Sequence, residues 1–467
     1  MHQIPLSDLH VRPGRLLEWT LCRPMQHAPD RAKLASYNQE KHFTAAVSAR
    51  EENAPEKNWV ASTFELTGPP DVAALEAALR LFVRRHEVLR CGFERLAGDL
   101  RCDVIPPAEI GFDRTDVGGF GTAEEVRAYL NRRITNTINT LDWPLFLAGA
   151  VLRPDGATVY LAFDHIVCDG MSLVIAVNEL ATAYEANRRG EPVVLPAVGS
   201  YLDFGDTQRD RYAGLRADGP ELAYWRSFIA SAGTFFPRIP LDFGVPDGAV
   251  HPATNETIPL LDDAEATAFE ERCRTHGAKL FMGLLAAVGM ALRDVAGVPV
   301  YRGLMPIGER KLEPWDRSFG WFVNTLPIEF PIPPDAGFDT VLAGARAGFR
   351  DLIRSVDTPF VKAWELLAPQ YYGLRSWPYP VNFFSFLDYR RLPGAAQHDR
   401  WRPTTIPQAT HSNTGNMWLF RNARGVYLNT IYPDTPQGRA AMSAYRGAIA
   451  RTVAGVAADA RIPAHAG

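Results

Sequence analysis

The 467 residues include 49 lysines and arginines against 53 aspartates and glutamates, which gives a net charge of −4, and 46% of the residues are hydrophobic. That balance is typical of a globular protein of two or three domains. The net negative charge argues against nucleic acid or an anionic membrane surface as a partner, because both bind proteins with concentrated positive charge. No apolar run approaches the roughly 20 residues that span a bilayer, and residues 1–20 lack the apolar core of a signal peptide, so we expect a cytoplasmic protein without membrane insertion.

The cysteines of the chain are few and scattered, at positions Cys22, Cys91, Cys102, Cys168 and Cys273. Their odd number and irregular spacing match neither a disulfide framework nor a zinc site. The sequence therefore predicts a protein of a reducing compartment with no metal ion.

The apolar periodicity of residues 1–189 predicts alternating strands and helices after an irregular start. The predicted elements are a polar, irregular segment over 1–58, strands at Trp59–Leu66, Leu145–Leu152 and Thr158–Phe163, a hairpin from Cys91–Phe93 and Arg101–Ile105, and helices over Val72–Leu89, about Ala123–Leu141 and about 171–188. Asp71 is the expected N-cap of the first helix, whose apolar residues recur at steps of three and four. His86 falls on this apolar stripe, which favours a packed core histidine over a catalytic one.

The rest of the chain repeats the mixture of helices and strands after a proline-containing stretch at 190–262 with two short helices. The predicted elements are one long helix over about Asp263–Val295, a strand at Val298–Pro306, a loop over Gly308–Trp315, a strand entered through Gly320–Pro327, a helix over about Phe338–Ser355, strands at Asn382–Leu387, Met417–Phe420 and Val426–Tyr432, and a helix from Thr435 to about Ala457. Two halves of matching size with antiparallel hairpins predict two α/β sandwiches.

One short stretch concentrates groups that can carry out chemistry. A buried strand leads into a loop with Asp164, His165, Asp169 and Gly170, and a helix begins just after it. Titratable clusters at the end of a buried strand are frequent sites of catalysis. His165 can both accept and return a proton near neutral pH. From these residues alone, a histidine satisfied in a turn with Asp169 as a helix cap remains an equally open interpretation.

Cys168 lies inside the same loop and is a possible nucleophile. We expect a packing residue instead, because no second histidine is close in the sequence and small loop cysteines commonly pack.

Two motifs resemble those of the condensation-domain superfamily of acyltransferases, which includes the chloramphenicol acetyltransferase-like folds. The family's H-H-x-x-x-D-G is matched by Asp164–Gly170. Its later G-R-x-x-x-E-L…G-x-F-V-N-T-L-P is similar to Glu309–Pro327, with the family spacing from Arg310 to Gly320. The resemblance covers almost the whole chain.

The ends of the chain look most like the stand-alone, polyketide-synthase-associated (PapA-like) branch of that superfamily. The resemblance there rests on Arg12–Trp19 near the start, and on Met417–Leu419 and Tyr432–Asp434 toward the end.

The resemblance implies an α/β fold, a V-shaped pseudo-dimer of two chloramphenicol acetyltransferase-like subdomains with the active-site tunnel at their interface. The expected organisation is an N-terminal subdomain over 1–189 that carries the H-x-x-x-D-G motif, a connecting region over 190–262 and a C-terminal subdomain over 263–467. Elements near Arg310–Leu326 and Pro407–Trp418 would cross over and close the tunnel.

The resemblance also implies transfer of an acyl group from a thioester to a hydroxyl or amine of a specialised metabolite or glycolipid. His165 would be the general base, and Asp169 would form a structural pair with Arg310; an Asp169 that orients the imidazole is the alternative. No tightly bound cofactor is implied, since the acyl-phosphopantetheine thioester, on coenzyme A or a carrier protein, is the donor substrate. An acyl or peptidyl carrier protein and a small-molecule acceptor are the expected partners of a monomeric enzyme.

Further residues are expected by the same resemblance to support or line the tunnel. Gly170 would keep the tunnel clear, and His411 is a possible second base. For Trp321, packing in the core is an equally open interpretation. The expected tunnel residues are Gly320, Trp321, Asn324, Ser385, His411 and Asn413.

The sequence departs from the family pattern at two positions. Asp164 stands where the family has its first histidine, a supportive residue, and an acidic group there would favour a cationic acceptor or alter the pKa of the imidazole. Ser318 replaces an aspartate that is frequent in the polyketide-synthase-associated branch.

Two other functions stay open at this point. One is a stand-alone, amide-forming condensation enzyme of nonribosomal peptide synthesis. The other is a catalytically silent module that recruits a partner enzyme. The presence of His165, Asp169 and Gly170 argues against the silent module, and Asp164 argues for it.

Overall fold

The computed structural model describes residues 1–22, 33–53, 58–310 and 315–461. The strands are β1 His2–Gln3, β2 Arg15–Cys22, β3 Lys33–Leu34, β4 Asn58–Thr67, β5 Cys91–Leu96, β6 Asp99–Val104, β7 Gly111–Gly119, β8 Phe146–Arg153, β9 Gly156–Asp164, β10 His251–Asp262, β11 Val300–Gly308, β12 Val323–Pro331, β13 Ser385–Asp388, β14 Thr404–Ala409, β15 His411–Ser412, β16 Asn416–Asn422 and β17 Gly425–Pro433. The α-helices are α1 Tyr37–Glu51, α2 Val72–Arg85, α3 Ala123–Thr137, α4 Gly170–Arg189, α5 Tyr201–Tyr212, α6 Ala223–Ala232, α7 Asp263–Thr275, α8 Leu280–Ala296, α9 Phe338–Ile353, α10 Phe360–Leu367, α11 Pro369–Tyr372, α12 His398–Trp401 and α13 Pro436–Arg461.

The chain folds into two compact units, each assembled from three stretches of sequence. The first unit consists of Met1–Gly214, Gly308–Val323 and Arg391–Ala409, and the second consists of Leu215–Ile307, Asn324–Arg390 and the chain from Thr410 onward. Each unit combines helices with β-sheet, which confirms the predicted mixed α/β class.

The first unit is built on a seven-stranded sheet in the order β1-β14-β4-β9-β8-β2-β7. Strand β9 lies between β4 and β8 and is antiparallel to both. Every residue of β9 is buried, as expected for an apolar run in the middle of a sheet. The sheet therefore fixes the end of β9, where Asp164 pairs with Trp59 of β4.

Helices α2 and α4 of the first unit pack against each other. Asp71 caps α2 as predicted, with its carboxylate accepting a hydrogen bond from the Ala74 N–H at 2.9 Å. The helix ends at Arg85 rather than Leu89, because the backbone at His86 is extended and a 3₁₀ turn follows. His86 is buried as predicted, and its Nε2 lies 3.0 Å from a carboxylate oxygen of Glu179 on α4.

The prediction of an irregular segment over 1–58 is wrong, because this region contributes strand β2 and helix α1. Helix α1 begins with a capping box, in which the Ser36 hydroxyl accepts a hydrogen bond from Gln39 N–H and the Gln39 side chain accepts one from Ser36 N–H. Its buried side chains include Gln39 and Lys41 besides apolar ones. The helix therefore lacks the apolar stripe on which sequence-based recognition depends.

The second unit contains a five-stranded sheet in the order β13-β16-β17-β10-β15 and the two-stranded β11-β12. Helices α7, α8, α9 and α13 pack together over its core. The single long helix predicted over Asp263–Val295 is wrong: α7 ends at Thr275 and α8 begins at Leu280. Gly277 between them has φ +64°, a left-handed conformation that ends a helix.

Strand β10 lies inside the 190–262 stretch, for which the sequence predicts two short helices and in which this strand was not identified. Half-buried polar residues dominate the strand, so it shows little of the apolar alternation that predicts a strand. Residues 311–314 of the predicted Gly308–Trp315 loop lie outside the described residues. Among the helices that the structure describes, none has the length and apolar character needed to cross a membrane.

Candidate active site

The candidate base His165 lies directly after the central strand of the first unit. It opens a 3₁₀ turn, His165–Val167, between β9 and α4. The Asp164 carboxylate caps this turn by accepting a hydrogen bond from the Ile166 N–H at 2.9 Å. The predicted order of strand, loop and helix is therefore present, and both ends of the loop are fixed by regular structure.

The imidazole of His165 has a buried ring nitrogen without a partner on another described residue. This nitrogen is Nδ1, which has no hydrogen-bond partner among the other residues that the structure describes. The indole of Trp321 lies against the ring, with 4.2 Å between the two centroids. Burial lowers the pKa of His165, and the charge of His42 lowers it further, while a hydrogen bond to its own backbone and the carboxylates of Asp169 and Asp164 act in the opposite direction.

Asp169 is held by a dense network in which Arg310 is the main partner. The guanidinium of Arg310 donates to both carboxylate oxygens of Asp169, at 2.7 and 2.9 Å. The same carboxylate accepts hydrogen bonds from the N–H of Ser172, at 2.9 Å, and of Phe322, at 3.0 Å. This is the pair that the family resemblance implies. No described hydrogen bond links Asp169 to His165, so the geometry favours the structural role of Asp169 over an orienting one.

The network extends to Gly320, where Arg310 and the Ser172 hydroxyl both contact the carbonyl oxygen, at 2.9 and 2.8 Å. A Cβ atom added at Gly320 would lie 2.3 Å from Cδ2 of Tyr201. Gly320 therefore lets the chain approach the Tyr201 ring closely. The following residue, Trp321, is placed against His165 by this packing.

The remaining loop positions take different environments. Gly170 is exposed at the start of α4. Ser318 is buried, and its hydroxyl donates to the Gly199 carbonyl at 2.9 Å. Cys168 is fully buried, with Sγ 3.5 Å from the Asp164 carbonyl, and burial raises the pKa of its thiol well above the ordinary value. A buried thiol with a raised pKa agrees with the predicted packing role and is poorly suited to act as a nucleophile.

The other expected tunnel residues belong to the second unit. Asn324 uses its whole amide there: it donates to the carbonyls of Val356 and Thr358 and accepts from the N–H groups of Thr325 and Phe360. Asn324 thus joins its own strand, β12, to the stretch from Val356 to Phe360.

Three more expected residues lie in or beside the sheet of the second unit. Asn413 is buried and donates to the Trp377 carbonyl at 2.7 Å. His411 is half-buried, with Nδ1 3.2 Å from the Thr410 hydroxyl. Ser385 begins β13 and is half-buried.

One residue of the site, His42, has no counterpart among the residues singled out from the sequence. It projects from α1, and its Nε2 lies 3.2 Å from Asp164 Oδ1 and 3.2 Å from the Thr140 hydroxyl. Its ring lies 6.3 Å from the His165 ring and 5.5 Å from Trp321, centroid to centroid. The sequence signals that were available are the capping box of α1 and the unpartnered acidic residue in the motif.

The arrangement can perform proton transfer. The imidazole of His165, whose Nδ1 has no side-chain or neighbouring partner in the described part of the chain, stands in a loop that is held by an ion pair and a helix cap. Such a group can accept a proton from a bound hydroxyl or amine and return it later in the reaction.

Known proteins resemble this chain over most of its length. The profile of the Condensation domain family matches residues 48–370. The 2'-acyl-2-O-sulfo-trehalose (hydroxy)phthioceranyltransferase PapA1 of Mycobacterium tuberculosis (strain ATCC 25177 / H37Ra) is 26% identical over 457 residues, covering 95% of this chain and 86% of the relative. The trehalose-2-sulfate acyltransferase PapA2 of the same strain is 26% identical over 456 residues, 95% of each protein.

The fold of this chain also resembles that of a solved structure. The structure of a PapA2 acyl transferase matches with a TM-score of 0.87 at 24% identity, over 98% of this chain and 100% of that chain. The fold class predicted from the motifs is thereby confirmed.

Proposed function

This chain belongs to the condensation-domain family and is an acyltransferase, and from that premise we propose that it esterifies a hydroxyl group of a small-molecule acceptor with an acyl group taken from a thioester. The observation that carries the proposal is the imidazole of His165, buried at Nδ1 without a partner among the described residues, in a loop braced by Asp169 and Arg310. The matching histidine is the one that the family motif implies as the base.

The proposed reaction uses His165 as a general base. Neutral His165 accepts the proton of the acceptor hydroxyl as its oxygen attacks the thioester carbonyl carbon and forms a new C–O bond. The tetrahedral intermediate then collapses, the C–S bond breaks, and the imidazolium returns the proton to the departing thiolate. Such positioned proton transfer contributes roughly 10²–10⁴-fold to the rate, and alignment of the two substrates contributes much of the remainder.

Asp169 and Arg310 take no proton in this scheme. Their ion pair holds the start of α4 and the backbone at Gly320 and Phe322. It thereby keeps the Trp321 side chain against His165. These two residues are therefore positioning residues.

The relatives suggest the substrate classes. Their names describe transfer to sulfated trehalose, and we propose a carbohydrate hydroxyl as the acceptor class of this chain. The donor is an acyl thioester of phosphopantetheine, on coenzyme A or on an acyl carrier protein, and it is a substrate and not a resident cofactor.

The test is thioester consumption followed by mass spectrometry. Purified enzyme is offered acyl-coenzyme A and acyl-carrier-protein donors, each with trehalose, trehalose 2-sulfate or a simple amine. We expect hydroxyl-dependent thiol release that falls at least about a hundredfold in His165→Ala. His10→Ala, an exposed histidine of the same unit, is the matched control and should keep wild-type turnover.

The outcomes separate the candidate functions. A folded His165→Ala enzyme with wild-type turnover would show that the base is wrong. Turnover of the amine alone would identify an amide-forming condensation enzyme. Saturable binding of the carrier protein without turnover of any acceptor would identify a recruitment module.

A further inference from the structure

The aspartate that replaces the first motif histidine is buried and must be stabilised by its surroundings. Asp164 is only 3% exposed. A buried carboxylate without a partner costs several kcal/mol, and such groups are therefore paired or fully hydrogen-bonded. In the described part of the chain, the side chains that bond Asp164 are His42, from a helix 122 residues away in sequence, and Thr140.

The hydrogen bonds define the tautomer of His42. Its Nε2 lies 3.2 Å from Asp164 Oδ1, and an ionised carboxylate can only accept hydrogen bonds. Nε2 of His42 therefore bears a proton. Burial alone would raise the pKa of Asp164, but the hydrogen bond and charge of His42, with the bonds from Ile166 N–H and the Thr140 hydroxyl, hold that pKa below its ordinary value.

The same helix also touches the turn that carries His165. Gln39, one turn before His42 on α1, donates from its side-chain amide to the Ile166 carbonyl at 3.1 Å. Asn38 donates to the Val323 carbonyl at 2.7 Å, just beyond Trp321. Helix α1 thus contacts both sides of the site, and the ring of His42 lies 6.3 Å from that of His165, centroid to centroid.

We propose that His42 is a positioning residue of the acyl-transfer site, which pairs with Asp164 to hold the turn bearing His165 and to balance the charge beside the base. The proposal rests on the proposed function, in that it takes His165 as the general base. It explains the aspartate at the first motif position: the acid that replaces the motif histidine is bonded by a histidine from α1.

The charges that surround His165 make the proposal testable. They are His42 on α1, Asp164 on β9, and Asp169 with its partner Arg310. Lys41, the neighbour of His42, is also buried, and desolvation lowers its pKa to about 8. Its titration is therefore well separated from the acid limb of the pH profile.

The experiment compares the pH dependence of kcat/KM in three variants. His42→Gln keeps a hydrogen-bond donor for Asp164 but removes the imidazole whose charge lowers the pKa of His165, so the acid limb should move to higher pH. Asp164→Asn leaves His42 in place and removes the negative charge, so the limb should move to lower pH. At the 6.3 Å between the ring centroids of His42 and His165, a unit charge supports a shift on the order of one pH unit. The double variant should return near the wild-type limb.

A matched control tests whether any buried histidine would behave in this way. His86→Gln removes the imidazole of another buried histidine–carboxylate pair in the same unit, with Glu179. His86 is not among the charges that act on His165, and its removal should leave the acid limb in place.

A second readout covers variants whose turnover is too low to measure. The imidazole of His165 is titrated by NMR in protein labelled at its 11 histidines, with His165→Ala used to assign the signal. Opposite displacements in His42→Gln and Asp164→Asn support the proposal. Displacements in the same direction, or none, overturn it. Retained turnover in His165→Ala would instead overturn the proposed function, and this proposal with it.

Discussion

Arg310 and Asp169 form a two-pronged ion pair, with the guanidinium nitrogens 2.7 and 2.9 Å from the two carboxylate oxygens. The pair lies almost wholly out of solvent, since the side chains are 8% and 2% exposed. Arg310 also donates to the carbonyls of Ser318 and Gly320, at 2.9 Å each. One guanidinium thereby joins the start of α4 to the segment that carries Trp321.

Removing one member of this pair should destabilise the first unit severely. Arg310→Met leaves the Asp169 carboxylate buried without its cation, which typically costs about 3–5 kcal/mol. Urea unfolding monitored by fluorescence would measure this loss in the free energy of unfolding. Arg12→Met is the control, because the Arg12–Asp155 pair is exposed and should contribute at most about 1 kcal/mol. Equal losses in both variants would contradict the structural role of Arg310.

Gly320→Ala should damage the site by steric overlap. The added Cβ would lie 2.3 Å from the Tyr201 ring, and the backbone beside Trp321 would have to move. Overpacking of this kind costs about 1–3 kcal/mol, and we expect a loss of kcat together with a lower melting temperature. In Gly308→Ala, by contrast, the added Cβ has open space. That variant should retain wild-type kcat, and a comparable loss there would refute the steric explanation.

Much of the fold follows from apolar patterns along the chain. The apolar run of β9 and the spaced apolar residues of α2 predicted these elements, although α2 ends four residues earlier than predicted. Helix α1 could not be predicted in this way, because Gln39 and Lys41 lie on its buried side. The break between α7 and α8 was missed because apolar residues continue on both sides of Gly277, whose left-handed φ alone marks the end.

The site could be predicted from the sequence only where one of the two family motifs covers it. The motif places His165 and Asp169 in one loop, and the second motif supplies Arg310 as the partner. The contact between His42 and Asp164 joins residues 122 positions apart, and nothing in the local pattern selects one of the 11 histidines. Spacing also cannot reveal that the amide of Asn324 is taken up by backbone groups.

Cys168 should be dispensable for catalysis. Burial keeps its thiol protonated, because the thiolate would lose its solvation, and the pKa of the thiol is raised well above the ordinary value. We expect Cys168→Ala to keep turnover within a few-fold of wild type. Iodoacetamide should leave Cys168 unmodified in the folded protein, as peptide mass spectrometry would show. Inactivation that parallels alkylation of Cys168 would contradict this assignment.

The pH dependence of activity should reflect the lowered pKa of His165. Burial, and secondly the charge of His42, hold this pKa below the ordinary value of 6.5. The imidazole is therefore neutral and able to accept a proton at pH 6.5 and above. We expect the acid limb of kcat/KM, which reports the free enzyme, to lie below pH 6.5. A limb above pH 6.5 would mean that another group titrates or that the imidazole is more solvated than the structure indicates.

The stability of the protein should depend on pH through the same group, with a defined sign. Because the unfolded chain binds the His165 proton at a higher pH than the folded chain does, the neutral imidazole contributes stability that is complete above pH 6.5 and is lost as the pH falls through the folded pKa. His165→Gln has no such proton. Its free energy of unfolding relative to wild type should therefore improve between pH 7 and pH 5, measured by urea unfolding. His10→Gln, at an exposed position, is the control, and an equal trend in both variants would exclude burial of His165 as the cause.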